Sequence, residues 1–142
     1  MDDRIRKVYF AHPLVHYDEE IETECIFSIL TMLGEDIEIF NPNQSWLSDL
    51  YKARKKAGDE DPFEIFREIA RVHDIIVGST FLDGIIGAGV AEELMEGIRN
   101  GKDCYLIYIH KGVKLFLPFT SLDNYKTLDI GQTRKRTKLG EL

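Results

Sequence analysis

Four short runs rich in β-branched and aromatic residues alternate along this chain with stretches of helical period, and that alternation leaves few folds open. Ile5 to Ala11, Ile37 to Phe40, Asp74 to Gly78 and Cys104 to Ile109 read as buried strands. The first stops at His12-Pro13 and the second at Asn41-Pro42, since proline cannot donate to a ladder. Between the first two, Ile21, Cys25, Ile29 and Leu33 recur every four residues, joined by Ile26 and Leu30. Glu19, Glu20, Glu22 and Glu24 occupy the opposite face, and Gly34 closes the helix. Strand, helix and strand in this order make a parallel pair with a right-handed crossover. The expected product is a flavodoxin-like open doubly wound α/β sheet, mainly parallel, of about five strands with helices on both faces. Its ligands bind beyond the carboxyl ends of the strands.

The segment from Asn41 to Gly58 has helical spacing at Trp46, Leu47, Leu50 and Tyr51 and a basic end at Lys52, Arg54, Lys55 and Lys56. A solvated surface helix is the favoured reading and an active-site flap the other. Asp61-Pro62-Phe63-Glu64 predicts a capped helix start, with Ile65, Phe66, Ile69 and Val72 as the buried stripe through about His73. Beyond the turn at His110-Lys111-Gly112 the chain holds an apolar patch at Leu115, Phe116, Leu117 and Phe119, then a basic end over 131–142. One further strand or helix is expected there, without a definite place.

With 142 residues, 44% of them hydrophobic, one domain spanning 1–142 with a substantial core is expected. The formal net charge of −7 disfavours a nucleic acid polymer or an anionic membrane surface as partner, because both reward Lys and Arg. Cys25 and Cys104 are far apart and sit in apolar runs, as in a protein of the reducing cytoplasm. The charged start Met1-Asp2-Asp3-Arg4 does not read as a signal peptide, and no apolar run approaches membrane-spanning length.

The most informative stretch is DGIIGAGVAEELMEGIRNGK, from Asp83 to Lys102. A turn containing Gly84, Gly87 and Gly89 enters a helix over 89–100 whose apolar stripe is Val90, Ala91, Leu94, Met95 and Ile98. Glu93 lies at the edge of that stripe, with Gly89 and Gly97 one turn away on either side, which leaves room for a ligand. Gly97 asks for a reason, since glycine inside a helix costs about 1 kcal/mol relative to alanine. Glu92 and Glu96 point further toward solvent. The helix dipole is expected to keep Glu93 ionised at neutral pH. Two plainer readings stay open: first-turn acids that complement the dipole, and a glycine-rich helix start that cradles phosphate. As a dinucleotide fingerprint, Gly87-x-Gly89-x-x-Glu92 lacks the third glycine.

Lys7 to Ala11 with Pro13, the DIIV run from Asp74, and Gly89, Glu93-Leu94 and Gly101-Lys102 together resemble the nucleoside 2-deoxyribosyltransferase family, which includes deoxynucleoside 5′-monophosphate N-glycosidases. The resemblance spans about residues 5–110. It implies a glutamate nucleophile at Glu93, oriented by Tyr9, acting on the N-glycosidic bond of a small-molecule nucleoside or nucleotide. On the expected topology His12-Pro13, Gly78 to Phe81 and the Gly87–Gly89 turn converge at the switch point, so His12, Pro13, Phe81, Asp83, Gly87 and Gly89 are the expected substrate-binding positions. No cofactor and no metal are implied, and a homodimer or higher homo-oligomer is. His12 and His16 have i,i+4 spacing, but Pro13 between them and the absence of a nearby acid make a metal site a poor reading. The chain departs from the family at Gly87, where an Asp or Ser is usual, and at Phe66, where an Asp is usual. Asp83 is the nearest acid to the first position, and Glu64 and Glu68 are near the second. A non-catalytic nucleotide-binding or sensing domain of the same fold is the rival expectation.

Overall fold

A computed structural model describes residues 4–142, so Met1, Asp2 and Asp3 of the charged start lie outside the described residues. Strand β1 (Arg6–Ala11) is the middle of the first crossover. It pairs in parallel with β2 (Ile37–Phe40) on one side and β3 (Ile75–Ser79) on the other. β3 pairs in parallel with β4 (Asp103–His110), and β4 pairs antiparallel with β5 (Val113–Pro118). The order is β2-β1-β3-β4-β5, the flavodoxin-like open sheet expected from the alternation. The antiparallel pair follows from a two-residue turn. Lys111 and Gly112 both have positive φ, 50° and 78°, which matches the twist of a tight hairpin.

Alternate residues of β1 and β3 feed two cores. Val8, Phe10, Ile75 and Val77 pack with Cys25 and Ile29 of helix α1 (Glu20–Leu33). Tyr9, Ala11 and Ile76 face the other way, toward Ala70 of α3 (Glu64–Arg71) and Val90 and Leu94 of α4 (Ala88–Arg99). Helix α2 (Ser45–Lys56) buries only Leu47 completely, and its basic end faces water, as its charge run suggested. Its Tyr51 ring packs on Phe63 and Phe66, at 5.0 and 6.0 Å between centroids.

Three local expectations are corrected. The capped start at Asp61 does not form: α3 begins at Glu64 with no side-chain cap, because the Asp61 and Glu64 carboxylates both accept from Arg67 instead. Val72 is 71% exposed rather than part of a buried stripe, since the helix ends at Arg71. The apolar patch of residues 115–119 is only partly free: Phe119 is in the core and Phe116 stacks on Tyr105, leaving Leu115 exposed. The segment without a definite place holds both β5 and helix α5 (Ile130–Leu139). The latter is started by a reciprocal capping box in which Asp129 accepts from the Gln132 N–H. Among the described residues no helix is long and apolar enough to cross a membrane.

Candidate active site

Helix α4 is seated by two glycines on opposite sides of one interface. A Cβ on Gly78 of β3 would stand 2.8 Å from Leu94 Cδ1 and 2.9 Å from Val90 Cγ1. One on Gly97 of α4 would stand 2.7 Å from both Cys104 Sγ and Ile76 Cγ1. The reason for Gly97 is therefore close helix–sheet packing, not ligand space. Gly89 differs, since a Cβ there meets nothing within 4 Å. The helix begins at Ala88 with Gly87 as N-cap, so Glu92 and Glu93 lie in its second turn and no acid lies in the first.

This seating brings Glu93 to the carboxyl half of β1, at the switch point between β1 and β3. Glu93 is partly buried as a residue, but its carboxyl is withdrawn from water. Burial pushes its pKa up to about 8, against the smaller downward pull of the Tyr9 hydroxyl and the Arg67 guanidinium. The dipole argument for an ionised Glu93 thus fails. The helix field is spent within the first turn, and desolvation outweighs it. Tyr9 is wholly buried in a three-ring cluster with Phe40 and His73, whose centroids lie 5.9 and 5.7 Å from its own and 5.6 Å from each other. Its hydroxyl lies beside the Glu93 carboxyl without meeting hydrogen-bond geometry with it or with any other described group. Burial, and then the Glu93 charge, hold the Tyr9 phenol well above its ordinary pKa. Tyr17, from the loop after β1, is raised by burial and then by the charges of Glu93 and Glu22.

The other positions singled out from the sequence separate into two groups. Phe81, Asp83 and Gly87 lie where the glycine turn meets α5. Asp83 accepts two bonds from Arg136, at 3.2 and 2.8 Å, and the same guanidinium sits 4.7 Å above the Phe81 ring. The Ala88 N–H, one of the donors a phosphate cradle needs, is taken by Thr133 Oγ1 at 3.0 Å. His12 and Pro13 end β1 and are buried. The His12 ring stacks on Phe10 at 4.0 Å, on the α1 side of the sheet. The candidates thus fall into Tyr9 with Glu93, and Phe81 with Gly87, where a Cβ would stand 3.1 Å from the Phe81 ring.

The sequence reading missed several participants. Glu22, assigned to the solvent face of α1, is buried and bonds His12 Nε2 at 2.7 Å. The signal was present, since Glu22 stands three, four and seven residues before Cys25, Ile26 and Ile29 and so on the apolar row. Glu96, also assigned to solvent, is buried against Arg71 at 2.6 Å and Arg99 at 3.1 Å. Arg67 and Tyr17, which face Glu93, had no periodic signature. An open hollow of about 630 Å³ lies on the other flank of α4, lined by Ala88, Glu92, Met95 and Leu122. Glu93 does not line it, so the hollow and the carboxyl–phenol pair are separate features.

Among the described residues no group of three or more His, Cys, Asp or Glu is arranged to hold a metal ion. None of the protein-family models, curated proteins or solved structures compared with the chain matches it. Fold and site together define an α/β open-sheet domain with a desolvated carboxyl beside a buried phenol at its switch point.

Proposed function

We propose that the chain cleaves or transfers the N-glycosidic bond of a (deoxy)nucleoside or nucleotide, with Glu93 as nucleophile. The observation that carries this reading is the desolvated Glu93 carboxyl beside the unpartnered Tyr9 hydroxyl in the carboxyl half of β1. Breaking such a bond develops positive charge at the sugar C1′, and a carboxylate in a low-dielectric site stabilises that charge strongly and can capture it covalently. Once Glu93 ionises, the Tyr9 O–H is the donor at hand for one carboxylate oxygen, leaving the other to attack. The open space over Gly89 is where a sugar can approach the helix.

A second reading, a non-catalytic nucleotide-binding or sensing domain, draws support from one feature. At neutral pH most of Glu93 is protonated in the free protein, and a neutral carboxyl is a hydrogen-bonding group rather than a nucleophile. A panel of deoxynucleosides and deoxynucleotides, followed for free base by chromatography, separates the two. Base release that Glu93→Ala abolishes supports the enzyme. Measurable binding with no release from any member supports the sensor, and undiminished release by the variant removes Glu93 from the mechanism.

The same reading places the protein in the cytoplasm as a homodimer or higher homo-oligomer, with no cofactor. Two buried free cysteines and the exposed Leu115 on the edge strand β5 are its support. A monomer in sedimentation at micromolar concentration would count against the oligomer.

A further inference from the structure

Helix α2 carries a second apolar row that the fold leaves uncovered. Leu47, Tyr51 and Arg54 make the row that turns inward: Leu47 is fully buried, and Tyr51 packs on Phe63 and Phe66. About a quarter turn round the helix, Trp46, Leu50, Ala53 and Ala57 follow each other at spacings of four, three and four. Trp46 is 52% and Leu50 37% exposed, and both alanines face water. Single apolar side chains on a surface need no partner, whereas a contiguous row marks a contact face. The Trp46 ring is already oriented, since its Nε1–H donates to Gln44 Oε1 at 2.7 Å, and its exposed face has no polar group left to satisfy. The helix also needs cover, because 12 residues are marginal as a helix in water and Leu47 alone is completely buried.

The row is complementary to itself when two copies run antiparallel. A two-fold axis near the middle of α2 sets the large Trp46 and Leu50 of one copy against the small Ala57 and Ala53 of the other, so ridges meet grooves. Asp49 and Lys56 lie on one flank of the row, and antiparallel packing brings like flanks together, so each Asp49 meets the Lys56 of the other copy. Within one chain these two are about 10.5 Å apart along the axis, out of pairing reach. A parallel pair would instead set Trp46 against Trp46 and crowd two basic ends of Arg54, Lys55 and Lys56 together. The net charge of −7, and Asp49 beside the row, favour a protein partner over an anionic membrane surface. We propose that α2 is an isologous homodimer interface, formed by Trp46–Ala57 and Leu50–Ala53 contacts and reciprocal Asp49–Lys56 pairs. The proposal rests on the homo-oligomer of the reading above and gives it a surface, independent of Glu93 and of β5. At about 1.5 Å per residue the contact is about 18 Å long, which is small for a specific interface, so dimerisation is expected at micromolar concentration.

Sedimentation equilibrium over micromolar concentrations tests this, with the emission of Trp46, the single tryptophan of the chain, read over the same range. Wild type should dimerise, and its Trp46 emission should move to shorter wavelength as it does. Leu50→Lys, at an exposed position, puts a charge into each half of the contact and should weaken association at least about tenfold. Asp49→Lys sets like charges across both pairs and should weaken it about tenfold, while adding Lys56→Asp restores the pairs and with them the affinity. An intact dimer in Leu50→Lys, or no rescue by the double variant, overturns the α2 surface. If Leu115→Lys dissociates that dimer instead, the oligomer forms through β5. A wild type that stays monomeric throughout overturns the homo-oligomer reading as well and leaves the reading of Glu93 standing. Phosphatidylserine vesicles supply the last arm: a monomer whose Trp46 emission shifts only when they are added makes α2 a lipid-binding helix and overturns the dimer.

Discussion

Glu93→Gln should make the protein more stable, and only above acidic pH. A carboxyl with an ordinary pKa of 4.5 that rises to about 8 on folding binds its proton more tightly folded than unfolded. Between those two values the folded state holds more protons, so stability falls as pH rises. Below pH 4.5 the burial of Glu93 carries no ionisation penalty, and above about 8 the penalty is complete. At about 1.4 kcal/mol per pH unit, the loss is about 3 kcal/mol by pH 7 and about 5 kcal/mol above pH 8. Glutamine has nearly the same shape and no proton to lose. The variant should match wild type at pH 4.5 and exceed it by about 3 kcal/mol at pH 7 and by about 5 kcal/mol at pH 9.

Urea denaturation at these three pH values gives the differences directly, provided the m-values agree. Every other titrating group is common to both proteins and cancels in the subtraction. A stability difference that stays constant across the range would show that Glu93 is not desolvated as the structure has it. It would also remove the physical basis for a nucleophile poised by burial. The same ionisation predicts that kcat/KM rises with pH up to about 8, because the carboxylate is the attacking form.

At pH 5, where Glu93 is protonated, Tyr9→Phe removes a buried hydroxyl that has no hydrogen-bond partner, so it should stabilise by about 1 kcal/mol in urea denaturation. It should also move the carbon-13 titration of the Glu93 carboxyl to higher pH, since Tyr9 draws that pKa down. Gly89→Ala places a methyl group in open space inside a helix and should stabilise by about 0.5–1 kcal/mol in the same assay. If the sugar approaches there, it should raise KM as well, and an unchanged KM would place the substrate elsewhere. Asp129→Ala breaks the capping box of α5 and should cost about 1 kcal/mol, read as a lower urea midpoint.

The parallel sheet was legible because its strands are continuous apolar runs and its helices carry four-residue periodicity, patterns dictated by burial on two faces or one. Glu93 was legible for the same reason, as an acid at the edge of an apolar stripe. Its protonation state was not, because desolvation depends on how closely α4 seats on the sheet, and that closeness comes from Gly78 across the interface. Glu22 was masked by its neighbours: Glu19, Glu20 and Glu24 make the start of α1 look like a solvated face, although position 22 falls on the buried row. β5 and α5 were expected only as one further element without a place, because their signals are local and weak. The hairpin rests on Lys111 adopting positive φ, and α5 buries no residue fully.

The seating of α4 and the chemistry of Glu93 are one physical fact, which a single substitution can separate from simple instability. Gly97→Ala gains about 1 kcal/mol of helix propensity, but its methyl would overlap Cys104 Sγ and Ile76 Cγ1 at 2.7 Å, an overpacking that costs about 1–3 kcal/mol. One of its two obstacles is a β-branched side chain on the central strand β3, which cannot rotate aside cheaply, so net destabilisation of about 1 kcal/mol is expected. Relief comes by lifting α4 from the sheet, and lifting admits water to the Glu93 carboxyl. The Glu93 pKa should then fall from about 8 toward 4.5, and the pH-dependent stability gain from Glu93→Gln, measured on the Gly97→Ala background, should shrink with it. Carbon-13 titration of the carboxyl reads the first effect and urea denaturation the second. A variant that is destabilised yet leaves the titration of Glu93 unchanged would show that the rings of Tyr9 and Tyr17, not the depth of α4, exclude water from the carboxyl.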